Sequence, residues 1–364
     1  MKIFLSFFTL LWIMLFETAF GQPTLFKGQF WASGLTGSDV PAGQSAYESS
    51  LGYIPTLSLS RNLSDLSFID FEWAYRFDRS YSGDSLFSNN EKNHRLWIRY
   101  SSEKLEARLG LQKIVFGPSQ ILRTLSWFDT IDLKDPTGQT DGVEAFRLRV
   151  FPSNSLSIWS WLINSNQDTI SFGGRAELSS SFGEFGFTFH SDPSKMPQQL
   201  GQSGLMISDP HQRFALDIRH DGFIGSWMES ALITSRHSDI TMITIGADYT
   251  LPISNGLLIM TEYMFIKNAE SEDQTLTAFM AMLPFGMVHS LMFISQIDWK
   301  EDRTYNYFRW SAIYDKYSLN LVLSQSPNRT EYSIPEKNLP KTVALPKTVA
   351  GFGTGIQFMF IYNH

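Results

Sequence analysis

Residues 68–78 read Phe-Ile-Asp-Phe-Glu-Trp-Ala-Tyr-Arg-Phe-Asp, and apolar and charged side chains alternate along this stretch. Ile69 and Phe71 share one face with the aromatic residues that follow, whereas Asp70 and Glu72 share the other. Alternation with a period of two is typical of a β-strand, because successive side chains point to opposite sides of a sheet. The apolar face is more aromatic than a soluble sheet usually presents. The stretch therefore predicts a strand with lipid on one side and water on the other.

The same alternation recurs along the chain in segments of about ten residues, the length that a tilted strand needs to cross a hydrocarbon layer. Turn signals such as Asp135-Pro136, Asp192-Pro193 and Asp221-Gly222 separate the segments. The predicted strands cover residues 25–34, 49–60, 66–78, 94–102, 104–112, 142–151, 155–163, 169–179, 182–190, 212–220, 223–234, 239–250, 256–267, 274–283, 287–298, 303–314, 317–325 and 352–362. The fold class is therefore expected to be all-β, a transmembrane antiparallel up-and-down β-barrel of about 16–18 strands.

The N-terminus has the pattern of a bacterial export signal. Lys2 precedes an apolar run that ends near Phe16, and Ala19 and Gly21 provide small residues at the positions that a signal peptidase reads. We predict a signal peptide over residues 1–21, cleaved near Gly21, and a single barrel domain over residues 22–364. The predicted location is the outer membrane of a bacterial cell.

The composition excludes several classes of protein. The chain has no cysteine, which removes disulfides and haem attachment through Cys-x-x-Cys-His. Charged residues make up 18% of the chain, below the roughly 25% of ordinary soluble domains. The net charge of −7 is scattered, so no nucleic-acid partner is expected. No zinc-type His-x-x-x-His spacing or phosphate-binding glycine loop is present, and we expect neither a metal nor a cofactor.

Enzymatic activity is not expected either. Barrel phospholipases use a His-x-Ser pair on one strand, and none of the seven histidines has serine two places on. Asp217, His220 and Asp221 resemble part of the acid and histidine set of barrel proteases, but no second acid pair accompanies them.

The segment 113–141 is too long for a tight hairpin and does not alternate like a strand. It follows Gly110-Leu111-Gln112 and contains Asp135-Pro136. It resembles the segment after a Gly-x-Gln strand in several porin-like families of bacterial outer-membrane β-barrels. The resemblance covers roughly residues 95–150. It implies a loop that folds inward before the next strand resumes the wall.

If this loop narrows the lumen, opposed charges could form a constriction that orients and selects solutes. One predicted wall consists of Arg108, Lys113, Arg123, Arg147 and Arg149, and the other of Asp129, Asp132, Asp135 and Glu144. The alternative is that these groups only pair with one another inside the lumen, since any barrel needs polar residues there.

Two further sets of residues allow more than one interpretation. Many tryptophans lie near predicted strand ends, which suits the membrane interfaces, although a sugar-stacking track inside the pore is the alternative; they are Trp31, Trp73, Trp97, Trp159, Trp161, Trp227, Trp299 and Trp310. Between Met228 and Met292 the alternation degrades, and several strands are apolar on both faces. An inward loop packed there, or a path for apolar solutes, would explain this.

The sequence therefore favours a porin-like channel for passive diffusion of small hydrophilic solutes, with outer-membrane lipid and those solutes as partners. One alternative is a structural barrel that acts as a scaffold or sheath for another envelope protein. A transporter of apolar solutes is a third hypothesis. Whether the chain forms a homo-oligomer stays open.

Overall fold

The computed structural model describes residues 24–164, 169–195, 197–200, 205–236, 239–269, 272–332 and 347–364. The predicted signal peptide over residues 1–21 lies outside these ranges and stays a prediction. In chain order the strands are β1 (Thr24–Gly37), β2 (Tyr47–Ser64), β3 (Ser67–Ser82), β4 (Ser85–Ser102), β5 (Leu105–Gln112), β6 (Val143–Ser153), β7 (Leu156–Asn164), β8 (Ile170–Ser180), β9 (Gly183–Asp192), β10 (Gln198–Gln199), β11 (Met206–Ile207), β12 (His211–Asp221), β13 (Gly225–Ser235), β14 (Asp239–Leu251), β15 (Leu257–Asn268), β16 (Gln274–Phe285), β17 (His289–Asp298), β18 (Arg303–Ile313), β19 (Tyr317–Gln325) and β20 (Thr354–Asn363). A short 3₁₀ helix spans Arg329–Tyr332.

Eighteen of these strands form one antiparallel sheet that closes on itself, while β10 and β11 pair separately. Each barrel strand pairs with the next along the chain, and β1 pairs with β20 from Gln29↔Asn363 to Gly37↔Gly355. Two further backbone hydrogen bonds of 3.0 Å join Gly28 and His364 at this seam. Closure leaves no unpaired edge, which is the condition for strands to lie in lipid. The predicted all-β, up-and-down barrel is confirmed, with eighteen strands.

The strands β2, β3 and β4 are longer than predicted. The ranges 49–60, 66–78 and 94–102 were expected, but the ladder of β3 and β4 continues to Ser82↔Ser85. Residues 85–93 are mostly polar and show no alternation of apolar side chains. They form a strand because their partner continues beside them, a pairing that the period-2 pattern does not report.

The two faces of the sheet differ as the alternation predicts. Leu109, Phe146, Leu162, Phe187 and Leu216 are among the large apolar side chains exposed on the outside. The positions between them point inward and carry most of the buried charged groups. In the other strands, too, alternate residues point outward and many of them are large and apolar, so the outer surface is an apolar band.

The two ends of the barrel also differ. The end that holds Thr24 and His364 carries turns of two to five residues, such as residues 65–66, 154–155 and 252–256. Longer connections, including residues 113–142, lie at the opposite end. Short turns are typical of the periplasmic end of bacterial barrels, and long loops of the extracellular end. In the described ranges, no helix is long and apolar enough to cross a membrane.

Candidate functional site

The connection between β5 and β6 enters the lumen and crosses it. Its backbone or side chains bond to strands on distant parts of the wall. Ser119 N donates to Glu229 on β13, Tyr307 Oη on β18 donates to the carbonyl of Lys134, and Gln139 Nε2 donates to Gln29 on β1. The inward fold that the resemblance implied for residues 113–141 is thereby confirmed.

Two buried carboxylates on the wall accept hydrogen bonds from the loop backbone. Glu229 accepts from the N–H groups of Ser119 at 2.8 Å and Leu125 at 3.0 Å. Glu262 on β15 accepts from three consecutive N–H groups, of which those of Gln120 and Ile121 lie at 2.7 and 3.0 Å. The segment 119–125 is neither helix nor strand, so these side chains replace the backbone acceptors that regular structure would supply.

Apart from polar groups such as Glu262, the wall beneath this segment is mostly apolar on its inner face. We call it the methionine wall, after the buried side chains on β14 to β17 that form one cluster with Ile121 and Leu122 of the loop; they are Met242, Met260, Met264, Met280 and Met292. The degraded alternation in this region therefore reflects a packed inward loop. Of the two explanations considered from the sequence, an inward loop and a path for apolar solutes, the structure favours the inward loop.

The wall on the opposite side is charged. We call it the arginine wall; it consists of Arg99, Arg108, Arg147, Arg149 and Arg175 on β4, β5, β6 and β8. Three of these arginines lie side by side in register, as Arg99↔Arg108 and Arg108↔Arg147. All three approach one carboxylate, Glu106, with Arg99 and Arg108 at 3.5 Å and Arg147 closer.

Further along this wall the arginines have carboxylates of their own. Arg149 Nη2 lies 3.0 Å from Glu177. Arg175 holds Asp217 with two parallel hydrogen bonds of 2.6 and 2.9 Å, and its Nε donates to Glu177 at 2.8 Å. Paired guanidinium and carboxylate groups of this kind satisfy each other's charge where water is limited.

Tryptophans lie between the arginines on the inner face. The guanidinium of Arg108 sits 4.5 Å from the ring centre of Trp97, and that of Arg149 sits 4.5 Å from the ring centre of Trp159. Such stacking is a cation–π contact, and it fixes the plane of each guanidinium.

Several tryptophans expected at the membrane interfaces are instead buried inside the barrel; they are Trp31, Trp159, Trp161 and Trp227. Parity explains this, because Trp159 and Trp161 alternate with the outward Ile158 and Leu162. Nearness to a strand end in the sequence does not fix the face on which a side chain lies.

A cavity of about 490 Å³ lies along the arginine wall on the short-turn side of the loop. Arg149, Arg175, Glu177 and Asp217 line it, and Gly117 of the loop borders it. Charged groups therefore surround an open space next to the inward loop.

The predicted constriction residues are divided among three places. Arg108, Arg147 and Arg149 share the arginine wall. Arg123 and Asp129 form an ion pair with each other inside the loop, where their side chains are 4% and 1% exposed. These two groups therefore neutralise each other within the loop.

The other predicted residues have local roles or face elsewhere. Lys113 is exposed at the start of the loop. Asp132 accepts the backbone N–H of Lys134 at 2.9 Å, and Asp135 accepts that of Thr137 at 2.9 Å, so both stabilise turns. Glu144 has the parity of the outward Phe146.

The carboxylates that face the arginines are ones that the sequence interpretation did not place in the constriction. Glu106, Glu177 and Asp217 lie on the same wall as their partners, rather than on the loop. Glu229 and Glu262 were also missed. Their sequence signal is a carboxylate at an inward position of an otherwise apolar strand.

The end of the loop is fixed near β4. Lys92 Nζ donates to Asp141 at 2.9 Å. Burial by itself would raise the pKa of the Asp141 carboxyl, but the hydrogen bond and the charge of Lys92 outweigh this and hold the pKa below its ordinary value.

The residues that resembled a protease set do not act together here. Asp217 is bonded to Arg175, whereas the His220 ring contacts the carbonyl of Phe182 and Asp221 pairs with Arg219. Within the part of the chain that the structure describes, no group of three or more His, Cys, Asp or Glu side chains could hold a metal ion.

The fold is similar to that of solved outer-membrane porins. A BenF-like porin from Pseudomonas fluorescens Pf-5 matches with a TM-score of 0.63 and 6% sequence identity, over 94% of this chain and 98% of that chain. OccK8 (OprE) from Pseudomonas aeruginosa matches with a TM-score of 0.61 and 7% identity, with the same coverage. OpdQ from Pseudomonas aeruginosa gives 0.58 and 6%, over 94% and 96% of the two chains.

No model of a protein family matches the sequence, and neither does a curated protein. At this low sequence identity the comparison shows the fold alone, which is a closed β-barrel like those of the solved porins.

Proposed function

We propose that this protein is a bacterial outer-membrane channel for the passive diffusion of small hydrophilic solutes. The observation that carries the proposal is the arginine wall, which lies inside a closed barrel next to the inward loop. The side chains of Arg99 and Arg149 are 26% and 30% exposed although they point into the lumen. Charged groups in the interior of a membrane protein mark solute or ion pathways when water reaches them.

The chemistry of this wall favours solutes that carry carboxylate or phosphate groups. A guanidinium presents a planar fork of donors that matches the two oxygens of such an anion. The carboxylates on the wall keep each arginine from binding a solute too tightly, because they offer a competing partner. Conduction needs this balance between binding and release.

The proposal includes the location and the processing of the chain. The apolar outer band contacts outer-membrane lipid, and residues 1–21 direct export and are cleaved near Gly21, leaving one barrel domain. Diffusion through a channel includes no chemical step, and we propose no enzymatic activity.

Planar bilayers test the proposal directly. Purified protein should give stepwise ion currents without a partner, and the reversal potential in a salt gradient should show a preference for anions. Arg147→Ala combined with Arg149→Ala should lower the anion-to-cation permeability ratio by roughly threefold or more, because two of the arginines on the wall are lost.

Arg79→Ala is the control, since it removes one positive charge from an exposed site on the hairpin of β3 and β4. Its reversal potential should equal that of wild type. A barrel that stays silent in bilayers and co-purifies with one stoichiometric protein would instead support the scaffold alternative.

A further inference from the structure

We propose that Glu229 and Glu262 are positioning residues that fix the loop 113–142 against the methionine wall and thereby set the width of the channel. This inference rests on the proposed function for its conductance readout, but the position of the loop can be tested separately. Both side chains are buried, at 0% and 1% exposure, so they act through the loop and not by touching a solute.

The two carboxylates belong to a patch on three neighbouring strands. Glu229 on β13 lies directly opposite Thr244 on β14. The Thr244 hydroxyl donates to the carbonyl of Leu122 at 2.9 Å and lies 2.9 Å from the Thr124 hydroxyl. Each of β13, β14 and β15 thus contributes one polar side chain to a wall that is otherwise apolar here. All three of these side chains meet the same short segment of the loop.

The physical need for this patch follows from the conformation of the segment. Burying a backbone N–H group among apolar side chains destabilises the fold unless the N–H group donates a hydrogen bond to an acceptor. A carboxylate is suited to this task, because it offers two oxygens with several lone pairs and forms stronger, charge-assisted hydrogen bonds. Five N–H groups, from residues 119–122 and 125, have these two acids as acceptors.

The orientation of Glu262 is itself supported by the wall. Trp227 Nε1 donates to it at 3.2 Å. Gly246 lies between these two residues in the ladder, and a Cβ at this position would overlap the Trp227 indole. Glycine is therefore required where the indole passes over the strand.

The decisive variant is Glu229→Gln combined with Glu262→Gln. Glutamine keeps the size of the side chain, but replaces one acceptor oxygen with an N–H₂ group that faces backbone donors. We expect the segment to leave the wall and the unitary conductance to rise roughly twofold or more, with added current noise. Asp248→Asn is the control. Asp248 lies on the same face of β14 as Thr244, and its substitution removes a carboxylate that accepts none of the five hydrogen bonds from the loop.

Limited trypsin digestion reports the position of the loop without any current. The Arg123 side chain is 4% exposed in the native barrel, so the peptide bond after it should resist cleavage. In the double glutamine variant, mass spectrometry should detect cleavage after Arg123 while the barrel still migrates as a folded species on an unheated gel. The Asp248→Asn barrel should remain protected.

A disulfide provides the reciprocal test, because the chain has no cysteine of its own. The hydroxyl oxygens of Thr124 and Thr244 lie 2.9 Å apart, so the pair Thr124→Cys and Thr244→Cys would bring two sulfur atoms close to each other. Oxidation of this pair in the double glutamine background should restore trypsin resistance and the wild-type conductance, and reduction should remove both. In the chain that carries the two cysteines but keeps both glutamates, oxidation should change neither the trypsin resistance nor the conductance.

Wild-type trypsin resistance of the double glutamine variant would overturn the inference. If that variant does not fold, the cysteine pair in the native chain still decides: failure of the disulfide to form, or a severalfold change in conductance on oxidation, would place the loop elsewhere. A third outcome separates the two proposals. If the barrel conducts nothing, but trypsin cleaves after Arg123 in the double glutamine variant and not in wild type, the positioning role of the two acids is upheld and only the channel function is refuted.

Discussion

The arginine wall and the methionine wall lie on opposite sides of one barrel and have the same outer surface but different inner ones. Outside, both present large apolar side chains, such as Phe146 on β6 and Phe279 on β16. Inside, the arginine wall holds arginines that pair with carboxylates and stack on tryptophan rings. The methionine wall holds methionines that pack against Ile121 and Leu122. The difference teaches that the polarity of the inward side chains depends on what lies against them. The arginine wall faces the open lumen, and the methionine wall faces a folded loop.

The largest expected effect comes from the packed side. Met264 is fully buried, and Met264→Ala leaves a cavity beneath the loop that should lower the free energy of unfolding by about 2–5 kcal/mol. Urea titration of barrels folded into liposomes measures this. Met264→Leu nearly conserves the volume and should cost less than about 1.5 kcal/mol. If Met264→Ala has wild-type stability, the loop does not pack there and the two walls do not differ in this way.

The outer faces should respond alike on the two sides. Phe187→Arg on β9, beside the arginine wall, and Phe279→Arg on β16 each place a charge on the lipid face, at an expected loss of about 2–4 kcal/mol near the midplane. Folding yield and urea stability in liposomes are the measurements. Equal losses support a uniform apolar band, whereas wild-type folding of either variant would show that its assigned face is reversed.

Gly246→Ala tests how closely the wall fits around Glu262. The added methyl group overlaps the Trp227 indole, so the indole must move and its hydrogen bond to Glu262 must lengthen. We expect a loss of about 1–3 kcal/mol, typical of overpacking. Gly34→Ala is the control, since its new methyl group would meet only the end of the Tyr47 side chain, at 3.1 Å. Similar losses for both would mean that Gly246 has no special role.

The smallest effect is expected outside both walls. Arg79 and Glu91 form an ion pair of 3.4 Å with side chains 56% and 42% exposed. Such exposed pairs contribute little, and Glu91→Gln should change the stability by less than about 1 kcal/mol. This variant sets the baseline. A loss as large as that of Met264→Ala would mean that the hairpin of β3 and β4 is packed against other residues at this pair and not solvated.

Much of the fold could be predicted because alternation reports directly on a two-sided environment. The eighteen strands were found in this way, and the segment 113–141 was recognised by its lack of alternation. The polar half of β4 could not be found from its own residues. It is a strand because β3 continues beside it in water, where no apolar face is needed.

The candidate site was less predictable. Arg147 and Arg149 could be placed on one inner face from their spacing, and the same spacing already places Glu144 on the opposite face with Phe146. Glu229 and Glu262 could be seen only as acids in apolar strands. Nothing local showed which of the loop's backbone groups they would meet.

The sequence by itself determined the strands, their two faces and the position of the inward loop in the chain, because each depends on neighbours only one or two residues away. The tertiary structure alone decided which inner faces meet water and which meet the loop. It also decided which carboxylate each arginine pairs with. Most of these contacts join residues that are tens to more than a hundred positions apart, and closure of the barrel is what brings them together.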